Sequence, residues 1–261
     1  MPHSSVAADA GVGYDCRELT QYSEFREAAA LYARVFAYTE QEYALNANLL
    51  TALARNGGSA VGAFADDGGL IGFAYGFAGC DASGTHFHYS QAAAVDAAQQ
   101  GRGVGQALKL AQRDVALRWG QQSMRWTFDP LLARNAHFNL SSLGAVGIAF
   151  ERDYYARPDT DRLVVSWDLT ATPTAPRAPR SGVPAGLGRE DWGRVVHVGD
   201  ADWIAIPARA DELAPGERPA LRRQLESAMT EVFRRGDVLV AASRVDEHTA
   251  VYRATSGKAI A

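Results

Sequence analysis

The sequence has 261 residues, of which 47% are hydrophobic and 21% charged, and 26 Lys and Arg against 30 Asp and Glu give a formal net charge of −4. That composition fits a globular chain long enough for one large domain or two small ones. The acidic balance excludes a nucleic-acid binder that relies on phosphate neutralisation. No run reaches the 18 apolar residues of a membrane span, and Cys16 and Cys80 are too few for a disulfide framework and lack metal spacing.

Residues 1–13 are small and polar without periodicity and are expected to be disordered. They lack the basic-then-apolar order of a secretory leader, so a cytoplasmic protein with no membrane partner is expected. Ser23 is placed to cap a helix with Phe25, Ala28, Ala29, Tyr32, Val35 and Phe36 on one face. A second helix is expected from the capping box Thr39-Glu40-Gln41-Glu42, carrying Leu45, Leu49, Leu50 and Leu53 and stopped by Gly57-Gly58. Two strand-like runs, 59–65 and 70–78, flank the hairpin signal Asp66-Asp67-Gly68-Gly69, and 86–95 completes a meander.

That third strand leads into Gln100-Gly101-Arg102-Gly103-Val104-Gly105 and then a helix with Val104, Ala107, Leu108, Ala111 and Val115 at helical spacing, ended by Gly120. Glycines at a strand-to-helix turn remove Cβ atoms where a ligand approaches the backbone. The first-turn N–H groups and the helix dipole suit such a turn to a phosphate or pyrophosphate. A strand over 124–128, a helix over 131–143 and strands over 146–150 and 163–169 follow. Residues 171–190 are rich in Pro, Ala, Arg and Gly and read as a linker. The remainder is expected as a strand at 203–207, a helix at 217–235 and a hairpin of 237–245 with 249–254. The series calls for a three-layer α/β/α packing around a mixed sheet.

Gln-x-x-Gly-x-Gly after a strand is neither the Gly-x-Gly-x-x-Gly of dinucleotide folds nor a P-loop. It resembles the coenzyme A pyrophosphate turn of the GNAT superfamily of acyl-CoA-dependent N-acyltransferases, and the element order is similar to that of a GNAT domain. Trp126-Thr127-Phe128-Asp129-Pro130-Leu131, Arg134-Asn135-Ala136-His137-Phe138-Asn139, Leu143-Gly144-Ala145, Tyr154-Tyr155 and Thr160-Asp161-Arg162-Leu163 resemble one GNAT subgroup. Its members are predicted acyltransferases, some associated with N-acylamino acid racemase or o-succinylbenzoate synthase pathways and some regarded as amino-acid N-succinyltransferases. The sequence departs from that subgroup at Gln91, where a His is expected. Composition and pattern together with the resemblance give four segments: a disordered 1–13, an acyltransferase domain over 14–170 that the resemblance implies, the linker 171–190 and a C-terminal βαββ extension over 191–261 that packs on the core or pairs with a second copy as a homodimer.

For the site, the resemblance implies that acetyl-CoA or another acyl-CoA is held by Gln100, Gly101, Arg102, Gly103, Val104, Gly105, Gln106 and Ala107, with the Val95 backbone meeting the pantetheine arm. Arg102 is either a phosphate partner or an exposed solubilising residue. Asn135 matches a coenzyme A contact, and its alternative is a helix cap. Attack is direct in this family, so no Ser or Cys nucleophile is needed. The family's acid Tyr falls at Leu140, leaving Tyr154 or Tyr155 as replacements or as packing residues. Asp129, Glu151, His88 and His137 are the candidate bases, with Asp129 favoured. Arg134 and Arg209 have the charge to meet a carboxylate. His86 and His88 share a strand face without a third ligand, so no metal is expected. The partners expected are acyl-CoA and a small amino-acid-like amine. A protein or antibiotic amine, or a module that binds coenzyme A without turnover, are the alternatives.

Overall fold

Alternating side chains on four antiparallel strands give the first part of the chain two apolar faces, and helices cover both. The computed structural model describes residues 13–40, 43–171, 182–199 and 201–257, and the chain divides into two units, 1–124 and 125–261. In the first unit β1 (Tyr14–Glu18), β2 (Ser59–Ala65), β3 (Leu70–Cys80) and β4 (His86–Val95) lie side by side in sequence order. Ala60, Phe64, Phe73, Tyr75 and Ala94 pack against α1 (Tyr22–Phe36) and α2 (Ala47–Arg55). The intervening residues Val61, Ala63 and Ala74 pack on Val104, Leu108 and Val115 of α3 (Val104–Arg118). The two-residue period of a strand thus makes the three layers.

Local signals set the helix ends. Glu24 Oε2 accepts from the N–H groups of Thr20 (2.7 Å) and Gln21 (3.0 Å), so Gln21 caps α1 in place of the expected Ser23. Asn46 Oδ1 accepts from Asn48 N (2.8 Å) and Leu49 N (3.2 Å), which starts α2 at Ala47 and not at Thr39. Gln41 and Glu42 of the expected capping box lie outside the described residues. The β3–β4 ladder shifts register between Tyr75 and Gly76, leaving Gln91 as the extra residue of a bulge.

In the second unit the strand order is β5-β7-β6-β10-β11-β9-β8: β5 (Ser123–Phe128), β6 (Val146–Glu151), β7 (Arg162–Asp168), β8 (Val195–Val198), β9 (Ala201–Pro207), β10 (Asp237–Arg244) and β11 (Thr249–Ser256). Helix α5 (Glu217–Arg234) packs on β6, β9 and β10. The expected helix over 131–143 is instead one turn, α4 (Ala133–Ala136), running into a π-helical turn at His137–Ser142. Ser141 Oγ bridges that turn to β10, donating to Ala242 O (2.8 Å) and accepting from Ala242 N (3.0 Å). The extension is therefore continuous with the sheet: β10 pairs with β6 antiparallel, Leu239 opposite Gly147. Strands β1 and β8 are additions to the expected set. Both are only four or five residues long, too short for their apolar residues to display a reliable strand period in the sequence. Half of the expected linker, 172–181, and nearly all of the expected disordered N-terminus lie outside the described residues.

Candidate active site

The glycine turn is built as its residue types demand. Asp96 Oδ1 accepts from Ala98 N (3.0 Å) and starts a short 3-10 turn after β4. Gln100 Nε2 then donates to Val95 O (3.3 Å), folding the segment back on the strand end. Gly101 (φ +79°) and Gly103 (φ +83°) both adopt the left-handed conformation, and Gly103 is the N-cap of α3. A Cβ on Gly101 would meet nothing within 4 Å, whereas one on Gly103 would lie 3.3 Å from the Tyr14 hydroxyl. Among the described residues, none accepts from the N–H groups of Gly101 to Gly105, while those of Gln106 (3.0 Å) and Ala107 (3.1 Å) donate to Gly103 O. Five backbone donors without an acceptor among the described residues therefore lie at the positive end of a 15-residue helix. Val104 is buried, so it offers only backbone there. Arg102 is exposed and donates to Gln99 Oε1 (2.8 Å).

Tyr14 is the neighbour that the sequence did not point to. It sits on an edge strand, and burial, with Cys16 adding to it, raises its hydroxyl above the usual 10.0, so it stays a neutral hydrogen-bonding group. Burial pushes the Cys16 thiol up to about 12, which makes it inert as a nucleophile.

Beneath the Gln91 bulge a one-directional hydrogen-bond chain crosses the first unit's interior. Lys109 Nζ donates to Ser90 Oγ (2.7 Å), and Ser90 Oγ to Gln112 Oε1 (2.8 Å). Gln112 Nε2 continues to Ser59 Oγ (3.0 Å), which faces His88 Nε2 at 2.8 Å. His88 Nδ1 meets Gln121 Oε1 (2.7 Å), and Gln121 Nε2 donates to Gly57 O (2.9 Å). Because Gln121 presents its oxygen, His88 carries its proton on Nδ1 and accepts from Ser59 at Nε2. His88 is fully buried and held on both nitrogens, which makes it a core residue and not the base that the sequence allowed. Burial lowers it to about 4 and lowers Lys109 to about 7.

The remaining candidates lie in the second unit. Asp129, at the end of β5, accepts from Leu131 N at Oδ1 (3.0 Å) and from Arg222 Nη2 at Oδ2 (2.8 Å). Asn135 is exposed within α4 and does not cap it, since Leu132 is the cap residue, so the capping alternative is corrected. The buried asparagine is Asn139, whose Oδ1 accepts from Trp126 Nε1 (3.0 Å). Tyr154 and Tyr155 are exposed on the β6–β7 loop with ring centroids 5.0 Å apart, and Arg162 lies over the Tyr155 ring. Leu140 is fully buried. Arg209 pairs with Glu212 (2.9 Å).

No protein-family model matches the chain, and no curated protein matches it in sequence. Solved structures do match. The structure of yncA, a putative acetyltransferase from Salmonella typhimurium with its cofactor acetyl-CoA, aligns at 17% identity and TM-score 0.51, covering 62% of this chain and 99% of that one. A putative GNAT-family acetyltransferase from Desulfovibrio desulfuricans aligns at 17% identity and TM-score 0.47, over 60% and 99%. Nourseothricin acetyltransferase aligns at 19% and 0.38, over 43% of this chain and 65% of that one. The fold is that of the GNAT acetyltransferases, a mixed α/β sheet with flanking helices, to which this chain adds further structure.

Proposed function

We propose that the chain is an acyl-CoA-dependent N-acyltransferase that moves an acetyl or succinyl group to a small amino-acid-like amine by direct attack. The observation that supports this reading is the turn at Gly101–Gly105, whose five N–H groups have no acceptor among the described residues at the start of α3, an arrangement that would cradle a diphosphate. Gln100, Arg102, Gln106 and Ala107 border that cradle, and Val95 ends the strand along which the pantetheine arm would run. In the direct reaction the neutral amine nitrogen bonds to the thioester carbonyl carbon, the carbon–sulfur bond breaks, and the thiolate leaves with the pair. The amine's proton passes to a base, for which we assign Asp129, and the thiolate takes a proton from Tyr154 or Tyr155. Asn135, exposed on α4, is assigned to coenzyme A. Likeness to the racemase-associated subgroup supports an amino-acid acceptor, and a homodimer and a cytoplasmic setting belong to the same reading. No helix among the described residues is long and apolar enough to cross a membrane.

A second reading, coenzyme A binding without turnover, draws on Leu140, an apolar and fully buried residue where relatives carry the acid Tyr. One experiment separates the two. Titration with coenzyme A, acetyl-CoA and succinyl-CoA should raise the melting temperature, because a ligand of the native state stabilises it. Thiol release against a panel of amines should then follow with the best acyl form. A shift without release favours the binder, and no shift with any of the three overturns both readings.

A further inference from the structure

The β6–β7 loop and helix α5 meet around one buried cation, Arg222, whose hydrogen bonding is incomplete. Its side chain is 9% exposed. Nη2 is bonded to Asp129, but Nη1 stands 3.9 Å from Asp161 Oδ2 and Nε 4.0 Å from Asp159 Oδ1. Among the described residues neither Nε nor Nη1 has a hydrogen-bond partner. Buried guanidinium N–H groups are normally satisfied. Here the acceptors, at 3.9 and 4.0 Å, stand about 0.7–0.8 Å beyond the usual hydrogen-bond range.

The loop that carries those carboxylates is under strain. Asp153 (φ +45°), Ala156 (φ +55°) and Asp159 (φ +62°) are all left-handed without being glycine. Asp153 N donates to Asp161 Oδ1 (3.1 Å), Tyr154 N to Thr160 O (3.1 Å) and Tyr155 N to Thr160 Oγ1 (3.2 Å), so the two tyrosines ride on this hydrogen-bonded frame. Its leading residue, Arg152, pairs with Glu226 of the same helix at 3.6 Å.

We propose that Arg222 is a positioning residue, supplied by the C-terminal extension, that fixes Asp129 and draws the Tyr154–Tyr155 loop inward by closing onto Asp159 and Asp161. Its role in turnover rests on the acyltransferase reading, while its hold on the loop does not. A lysine cannot replace it, because one guanidinium plane offers separate donors to three carboxylates and an ammonium is a single point.

The test uses the full chain with Arg222→Lys, which keeps a cation beside Asp129, and Asp159→Asn, which leaves the buried pair intact and tolerates the left-handed backbone. Backbone hydrogen exchange is read at residues 153–156. Arg222→Lys should speed it by about tenfold, the effect of losing the one charge-assisted hydrogen bond that closure onto Asp161 forms, and Asp159→Asn by about threefold. In the acyl-transfer assay Arg222→Lys should lower kcat about tenfold and leave acetyl-CoA affinity within about twofold, a split that general destabilisation would not produce. Unchanged exchange in both folded variants would overturn the proposal, as would a kcat equal to wild type. If the wild-type chain acylates no amine, the acyltransferase reading falls and exchange alone decides the assignment of Arg222.

Discussion

Gly101 and Gly103 are where single residues control the candidate site. Left-handed backbone costs a residue with a Cβ about 1–2 kcal/mol, and both glycines hold it at φ near +80°. At Gly101 the space is open, so Gly101→Ala tests that strain alone. At Gly103 a Cβ would already stand 3.3 Å from the Tyr14 hydroxyl, and a branched side chain would add bulk beside the N–H groups of the turn. Gly103→Val should therefore cost about 1–2 kcal/mol of stability and weaken coenzyme A binding by more than about tenfold. Calorimetry on the folded variant checks it, and equal affinity would remove the turn from the site. The glycines were legible in the sequence because their spacing is the signal. Tyr14 was not, because its place beside Gly103 is made by strand pairing far away in sequence.

Among elements, the junction of β2, β4 and α3 holds two buried titratable groups, Lys109 and His88. Lys109 has a folded value of about 7 against an ordinary 10.5, so the unfolded chain binds its proton more readily. Stability should therefore rise with pH from about 7 towards 10.5. Lys109→Met should be more stable than wild type at pH 7, with the difference closing by about pH 10.5. His88 acts in another window: held neutral to about 4 against an ordinary 6.5, it lets stability fall as pH drops through that range. Melting curves of both chains from pH 4 to 10 check the two signs. A variant with the wild-type slope above pH 7 would show that Lys109 is not the titrating group. The sequence placed Lys109 on the helix, but nothing in it showed that the side chain crosses to Ser90.

At the scale of the molecule, the C-terminal residues complete the sheet and the contacts of the residues before them. Strand β10 pairs with β6, the Tyr252 hydroxyl donates to Pro130 O at 2.7 Å, and Arg222 holds Asp129. A chain ending at Ala171 would lose all three and leave the β6 edge open, which invites edge-to-edge association. We expect such a chain to aggregate or to unfold without a cooperative transition, as size-exclusion chromatography and thermal melting would report. A monodisperse fragment that melts cooperatively would instead show the extension to be an independent appendage.

Sequence alone determined the elements whose signals are local: the strand read at 70–78, which the structure carries on to Cys80, the hairpin before it, the glycine turn, the helix from Val104 and the long helix of the extension. Asn46 was equally local, yet the capping box upstream competed with it. Tertiary structure decided the rest. Short edge strands β1 and β8 exist because neighbours supply their hydrogen bonds, and the π-helical turn at His137–Ser142 is held by Ser141 bridging to β10. Arg222 gains its importance in the same way, from carboxylates 61 to 93 residues away that only the folded chain assembles. Spacing along a chain records what a residue does to its own turn; it cannot record which distant group will complete its hydrogen bonds.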